Sequence, residues 1–156
     1  MRKPAKPSAK QELSRFIARF SPVIAKRARG ALAAMRKRLP GAFELVYDNA
    51  YALVIGFSPS ERPSQAIFSI VIYPTKVSLC FIWGARLPDP DGLLRGSGNQ
   101  VRFVRLEDDR TLEERGVRAL LRAAVADAGN PFEVRRRGST IVRAISSKRR
   151  PRRPAA

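Results

Sequence analysis

The side chains best equipped for chemistry in this chain are its cations. Lys and Arg number 31 against 13 Asp and Glu, and there is no histidine. Residues 134–156 hold nine of those cations and no acid, in "RRRGSTIVR" and "SSKRRPRRP". Runs of this kind track phosphate backbones. They nominate Arg135, Arg136, Arg137, Lys148, Arg149, Arg150, Arg152 and Arg153 as phosphate contacts. No zinc finger, recognition-helix pattern or RNP aromatic pair accompanies them, so the expected binding is sequence-independent and salt-sensitive. The competing reading is that such tails add solubility and meet polyanions only incidentally.

A second candidate is residues 84–106, "GARLPDPDGLLRGSGNQVRFVRL". Gly96 and Gly98 can present backbone N–H groups to an anion, with Arg95 and Arg102 supplying charge. It is not a Walker loop, having no Gly-Lys-Ser/Thr and no following helix. Nor is it the dinucleotide fingerprint, because "GSGNQV" leads into a strand. The structural alternative is a long turn shaped by Pro88, Pro90 and the glycines and pinned by Leu87, Leu93 and Leu94. Asp89 and Asp91 would then partly neutralise Arg86 and Arg95.

Catalysis finds little purchase. The absence of histidine removes His-based triads, His-ligated zinc and the commonest acid–base residue near neutral pH. Cys80, the lone cysteine, lies in the apolar run "VSLCFIW" and reads as a reduced core thiol. Glu44 and Asp48 flank Tyr47 as a polar strand end. Glu107, Asp108, Asp109, Glu113 and Glu114 complement the start of a helix. A non-enzymatic protein without a cofactor is expected.

The elements that must position these groups follow from periodicity. Residues 1–10 read as a disordered basic arm. A short amphipathic helix follows from about Gln11, and a second is signalled by Ser21-Pro22 and closed by Pro40-Gly41. The period then shortens to that of strands: "FELVY" (43–47), "YALVIGF" (51–57), "QAIFSIVIY" (65–73), "KVSLCFIW" (76–83) and "VRFVRL" (101–106). In the last, Val101, Phe103 and Leu106 are expected inward. A helix over 112–128 carries a capping-box signature at Thr111 and Glu114. The fold class is α+β, an antiparallel sheet of about five strands with helices packed on one face. Residues 11–146 form the single domain and 147–156 a disordered basic tail, with 141–145 open between strand and tail.

Charge follows the same plan. The net +18 divides into +4 over 1–10, +7 over 11–38, −2 over 39–133 and +9 over 134–156. A near-neutral body thus lies between cationic ends. No apolar run is long enough to span a bilayer, no secretory signal is evident, and a cytoplasmic location is expected.

The order helix, "ELVYDNAYALVIGF", "FSIVIYPTKVSLCFIWGARLPDPDGLLRGSGNQVRFVRL", capped helix resembles the YdhG-like domain-of-unknown-function family over roughly 12–153. The terminal "IVRAISSKRRPRR" resembles endings in some members. The resemblance implies a small, broadly frataxin-like α+β fold; most members have no assigned activity, and one branch is proposed to chaperone iron. Iron donation in frataxin-like proteins uses an acidic ridge on the first helix. Here that helix bears Lys26, Arg27, Arg29, Arg36, Lys37 and Arg38 and no acid between Ser21 and Pro40. Two functions follow as expectations: binding of nucleic acid or another polyanion through the basic ends, or a small-ligand or metal (iron) carrier using the sheet face and the 84–102 loop. No oligomeric state is implied.

Overall fold

A computed structural model describes residues 4–133 and 135–155. Helices α1 (Ala9–Ala18) and α2 (Pro22–Arg38) precede strands β1 (Phe43–Asp48), β2 (Leu53–Ser58), β3 (Phe68–Tyr73), β4 (Lys76–Phe81) and β5 (Arg102–Arg105). Helix α3 (Arg115–Asp127) and strand β6 (Thr140–Ile145) complete the order. The α+β class holds, with six strands rather than about five, ordered β5-β4-β3-β2-β1-β6. All neighbours are antiparallel except β1 and β6, which run parallel. A parallel neighbour needs a long crossover, and the segment carrying α3 supplies it.

Side-chain alternation divides the sheet cleanly. Val46, Leu53, Ile55, Phe57, Phe68, Ile70, Ile72, Val77, Leu79, Phe81 and Val104 join the apolar stripes of all three helices in one core. Phe57, Phe68 and Phe81 are cross-strand neighbours, and the Phe68 and Phe81 rings meet edge to face at 5.5 Å. Burying each is worth about 1.5–3 kcal/mol, and the ring pair adds roughly 0.5–1.5 kcal/mol. The opposite face carries two cross-strand rows. One runs Tyr47, Val54, Val71, Ser78, Arg105; the other runs Leu45, Gly56, Ser69, Cys80, Phe103.

Several local expectations change. β5 has the opposite parity to that read for Val101 and Phe103: Val104 is buried, Val101 is exposed and Phe103 faces away from the helices, whereas Leu106 is buried as expected. Register set by β4 decides this, because Leu79 pairs with Val104 and Cys80 with Phe103. Cys80 is therefore a half-buried thiol on the open face and lies outside the helix-side core. Thr111 does not cap α3. Its hydroxyl accepts from the Glu107 N–H, a single 3-10 turn spans Thr111–Glu113, and the helix starts three residues later than expected. The capping box is instead at Ser8 and Gln11, so α1 starts inside the segment read as a disordered arm. Residues 1–3 of that arm lie outside the described residues.

Candidate polyanion interface

The tail read as disordered is folded onto the body, and the reason is a buried acid. Asp48, at the end of β1, is only 1% exposed. It shares the helix face with Val46 and Glu44, and a carboxylate there needs partners. Three guanidinium groups supply them: Arg19 at 3.3 Å, Arg149, and Arg152 at 2.8 Å. Arg152 is itself buried, also donates to the Asn49 carbonyl, and lies 5.6 Å from the Phe20 ring centroid. Its Nη1 finds no hydrogen-bond partner among the described residues.

Backbone contacts lay the tail along the β1–β2 turn. The Ser146 N–H donates to the Asp48 carbonyl and the Arg150 N–H to the Ala50 carbonyl. The Arg150 guanidinium lies 4.9 Å from the Tyr51 ring centroid, and the Arg153 Nε donates to the Arg19 carbonyl. The tail expectation is thereby corrected as far as Arg153; Ala156 lies outside the described residues.

The eight nominated cations therefore serve different purposes. Arg149 and Arg152 hold Asp48, so they are structural partners first. Lys148, Arg150 and Arg153 are exposed around the docked tail. Arg135, Arg136 and Arg137 are also exposed but lie before β6, beside the start of β1. The strand between the two groups separates them by about 17 Å at ~3.3 Å per residue. Arg136 donates to the Pro59 carbonyl.

Near Arg136 and Arg137, a cleft of about 390 Å³ is also lined by Lys10, Arg36, Glu44 and Thr140. Glu44 is buried there by a two-point pair with Arg36 at 2.7 and 2.8 Å and by the Thr140 hydroxyl. That hydrogen bonding holds the Arg36 guanidinium above its ordinary pKa, with burial acting against it and the Glu44 charge adding to the rise.

Glu44 and Asp48 thus do far more than mark a polar strand end. The signal was their shared parity with Val46: every second residue of a strand lies on one face. A carboxylate on a core face implies a buried partner. The identity of that partner, up to 104 residues away, is not written locally.

The 84–102 loop closes on itself. The Asp89 carboxylate accepts from the N–H groups of Leu93 and Leu94. Arg95 bridges Phe103 by two backbone hydrogen bonds and so covers part of the β5 edge. Leu87, Leu93 and Leu94 pack against the core. Arg86 pairs with Asp127 at 2.8 Å rather than with Asp89 or Asp91. Arg102 and Gly98 do come together, but the guanidinium donates to the Gly98 and Val101 carbonyls and so closes the loop. Arg95, Gly96 and Gly98 are exposed, and Gly96 has φ +117°, a conformation that favours glycine.

Among the described residues no three His, Cys, Asp or Glu side chains are placed to hold a metal ion. No described helix is long and apolar enough to cross a membrane. No protein-family model, curated protein or solved structure matches the chain. The YdhG-like resemblance therefore rests on the residues quoted for it.

Proposed function

We propose that this protein binds nucleic acid, or a polyanion of similar charge density, without reading base sequence and without catalysing a reaction. The observation that carries the proposal is the charge at the β1–β2 end of the sheet. Lys148, Arg150 and Arg153 are exposed there, while the nearby acid, Asp48, is buried beneath its own three arginines. With three arginines against one carboxylate, that cluster is itself net positive and adds to the outward field. The fixed tail also presents its cations at lower ordering entropy than a free one would. The net charge of +18 adds long-range attraction.

The test is fluorescence anisotropy of labelled single- and double-stranded oligonucleotides across a salt series. Because the tail is part of the folded body, point substitutions replace truncation. The triple variant Lys148→Ala, Arg150→Ala, Arg153→Ala removes the three exposed cations. If all three meet duplex phosphates, the log–log salt slope should become shallower by about 2.7. Binding that vanishes at physiological salt for the unaltered chain would refute the proposal.

A further inference from the structure

We infer that the open face of the sheet is a stacking platform for single-stranded nucleic acid. An antiparallel sheet with one face bare usually shows polar side chains there. Here Leu45, Gly56, Ser58, Ser69 and Ser78 are buried on this face, and the accessible outward positions include Tyr47, Val54, Val71, Tyr73 and Phe103, all half-buried. Two cations lie over two of these rings and swing aside for a base to stack there. The Lys76 Nζ lies 4.9 Å from the Tyr73 ring centroid, and the Arg105 guanidinium lies 5.9 Å from that of Phe103. Among the described residues, no strand position facing this way is Asp or Glu. At the β5 edge Glu107 and Asp108 line a cleft with Arg105.

The chemistry of this face selects its occupant. Rings with π faces accept unpaired bases, and adjacent Lys or Arg side chains meet the phosphates of the same strand. Tyr47 and Tyr73 lie two strands apart, about 10 Å across the sheet at ~4.8 Å per strand, so one strand of nucleic acid can meet several rings. A duplex keeps its bases stacked on each other and presents phosphates instead. A second copy of this chain would set Lys76 and Arg105 against like charge. An apolar helix of another protein would leave both cations without counter-charge. Stacking is tolerant of base identity, as fits a chain lacking base-reading motifs.

This inference rests on the nucleic-acid reading above but concerns a different surface, so the two can fail separately. Anisotropy is measured with a labelled 20-nucleotide oligothymidylate and with a duplex of equal length, for the full chain and for Tyr73→Ala, Phe103→Ala and their double variant. Each lost ring should weaken single-strand binding roughly 5- to 150-fold. Duplex binding and the salt slope should stay unchanged, since no cation is removed. Tyr73→Leu, which keeps apolar bulk, guards against a folding effect and should also lose single-strand affinity.

An independent readout comes from Cys80, which shares a cross-strand row with Phe103. Single-stranded oligonucleotide should slow its reaction with a small maleimide, and duplex should not. The inference is overturned if the ring variants bind both oligonucleotides as the parent does, if Cys80 reacts at the same rate with bound single strand, or if sedimentation shows a dimer that Tyr73→Ala or Phe103→Ala dissociates. If only the triple cation variant alters binding, the charged interface stands and the platform falls. If neither oligonucleotide binds, both fall.

Discussion

Arg152→Ala offers the sharpest test of the docked tail. The side chain is 4% exposed and its Asp48 partner 1%, so the substitution strips one ion-pair member from a site where water cannot replace it. Removing one member of a buried pair typically costs 3–5 kcal/mol, because the other charge is left uncompensated. Asp48 keeps Arg149, and it keeps Arg19, whose side chain is 46% exposed and correspondingly screened. The Asn49 carbonyl also loses a donor, and the Phe20 ring loses its cation. A loss of about 3 kcal/mol is the balance, towards the lower end of that range. For a chain of this size it lowers Tm by roughly 6–12 °C.

Differential scanning calorimetry with urea titration measures this directly. Arg150→Ala is the control: its guanidinium lies over Tyr51, which is 63% exposed, and such a contact is worth only about 0.5–1 kcal/mol. Asp48→Ala paired with Arg152→Ala completes a double-mutant cycle. The double variant should be less destabilised than the two singles added together, with coupling of roughly 0.5–3 kcal/mol. If Arg152→Ala leaves Tm within a degree of the parent, the tail is not held by Asp48 and the reasoning fails.

Other consequences are as direct. Gly41→Ala should destabilise strongly and lower the urea midpoint: φ is +81° there, and a Cβ would come within 2.3 Å of the Glu133 carbonyl oxygen. Gly98→Val should be tolerated in the same titration, since nothing lies within 4 Å of a Cβ and its φ is not positive. Burial raises the Cys80 pKa, only partly offset by a hydrogen bond with Ser69, so its alkylation should be slow until pH passes well above the ordinary thiol range. Through the same shift the folded state keeps this proton longer than the unfolded chain does. Its contribution to stability is therefore full below the unfolded thiol pKa and declines as pH rises towards the folded one, a trend that Cys80→Ser should remove from the stability–pH curve.

The long elements were legible because each announces itself over many residues. Ser21 does accept from the Ile24 N–H, Pro22 opens α2, and Pro40-Gly41 follows its end. The runs around Leu45, Ile55, Ile70 and Leu79 carried strand chemistry that no helix would use. Errors arose where a distant partner decides. "VRFVRL" alternates acceptably in either parity, and only pairing with β4 settles which rings face out. Thr111 and Glu114 have capping-box spacing, but the hydroxyl is engaged by Glu107 instead. The tail's composition resembles that of a free, solvated arm. Its fixed position depends on one carboxylate in β1, and a local reading cannot join residues so far apart. The candidate site was half legible for the same reason: the cations were visible, but not which of them bind Asp48.

The Asp48–Arg152 pair also sets an order of assembly. A chain emerging N-terminus first has produced α1, α2, the five-strand meander and α3 before the arginine that neutralises Asp48 exists. Until then the β1 edge that β6 will cover stands open, with an acid beneath it awaiting two of its three partners. Contacts spanning so much sequence form slowly. For this protein the closing of the sheet and the burial of its charge are one late step, so a nascent chain paused before residue 140 presents both an unpaired strand edge and an unneutralised carboxylate to whatever is nearby.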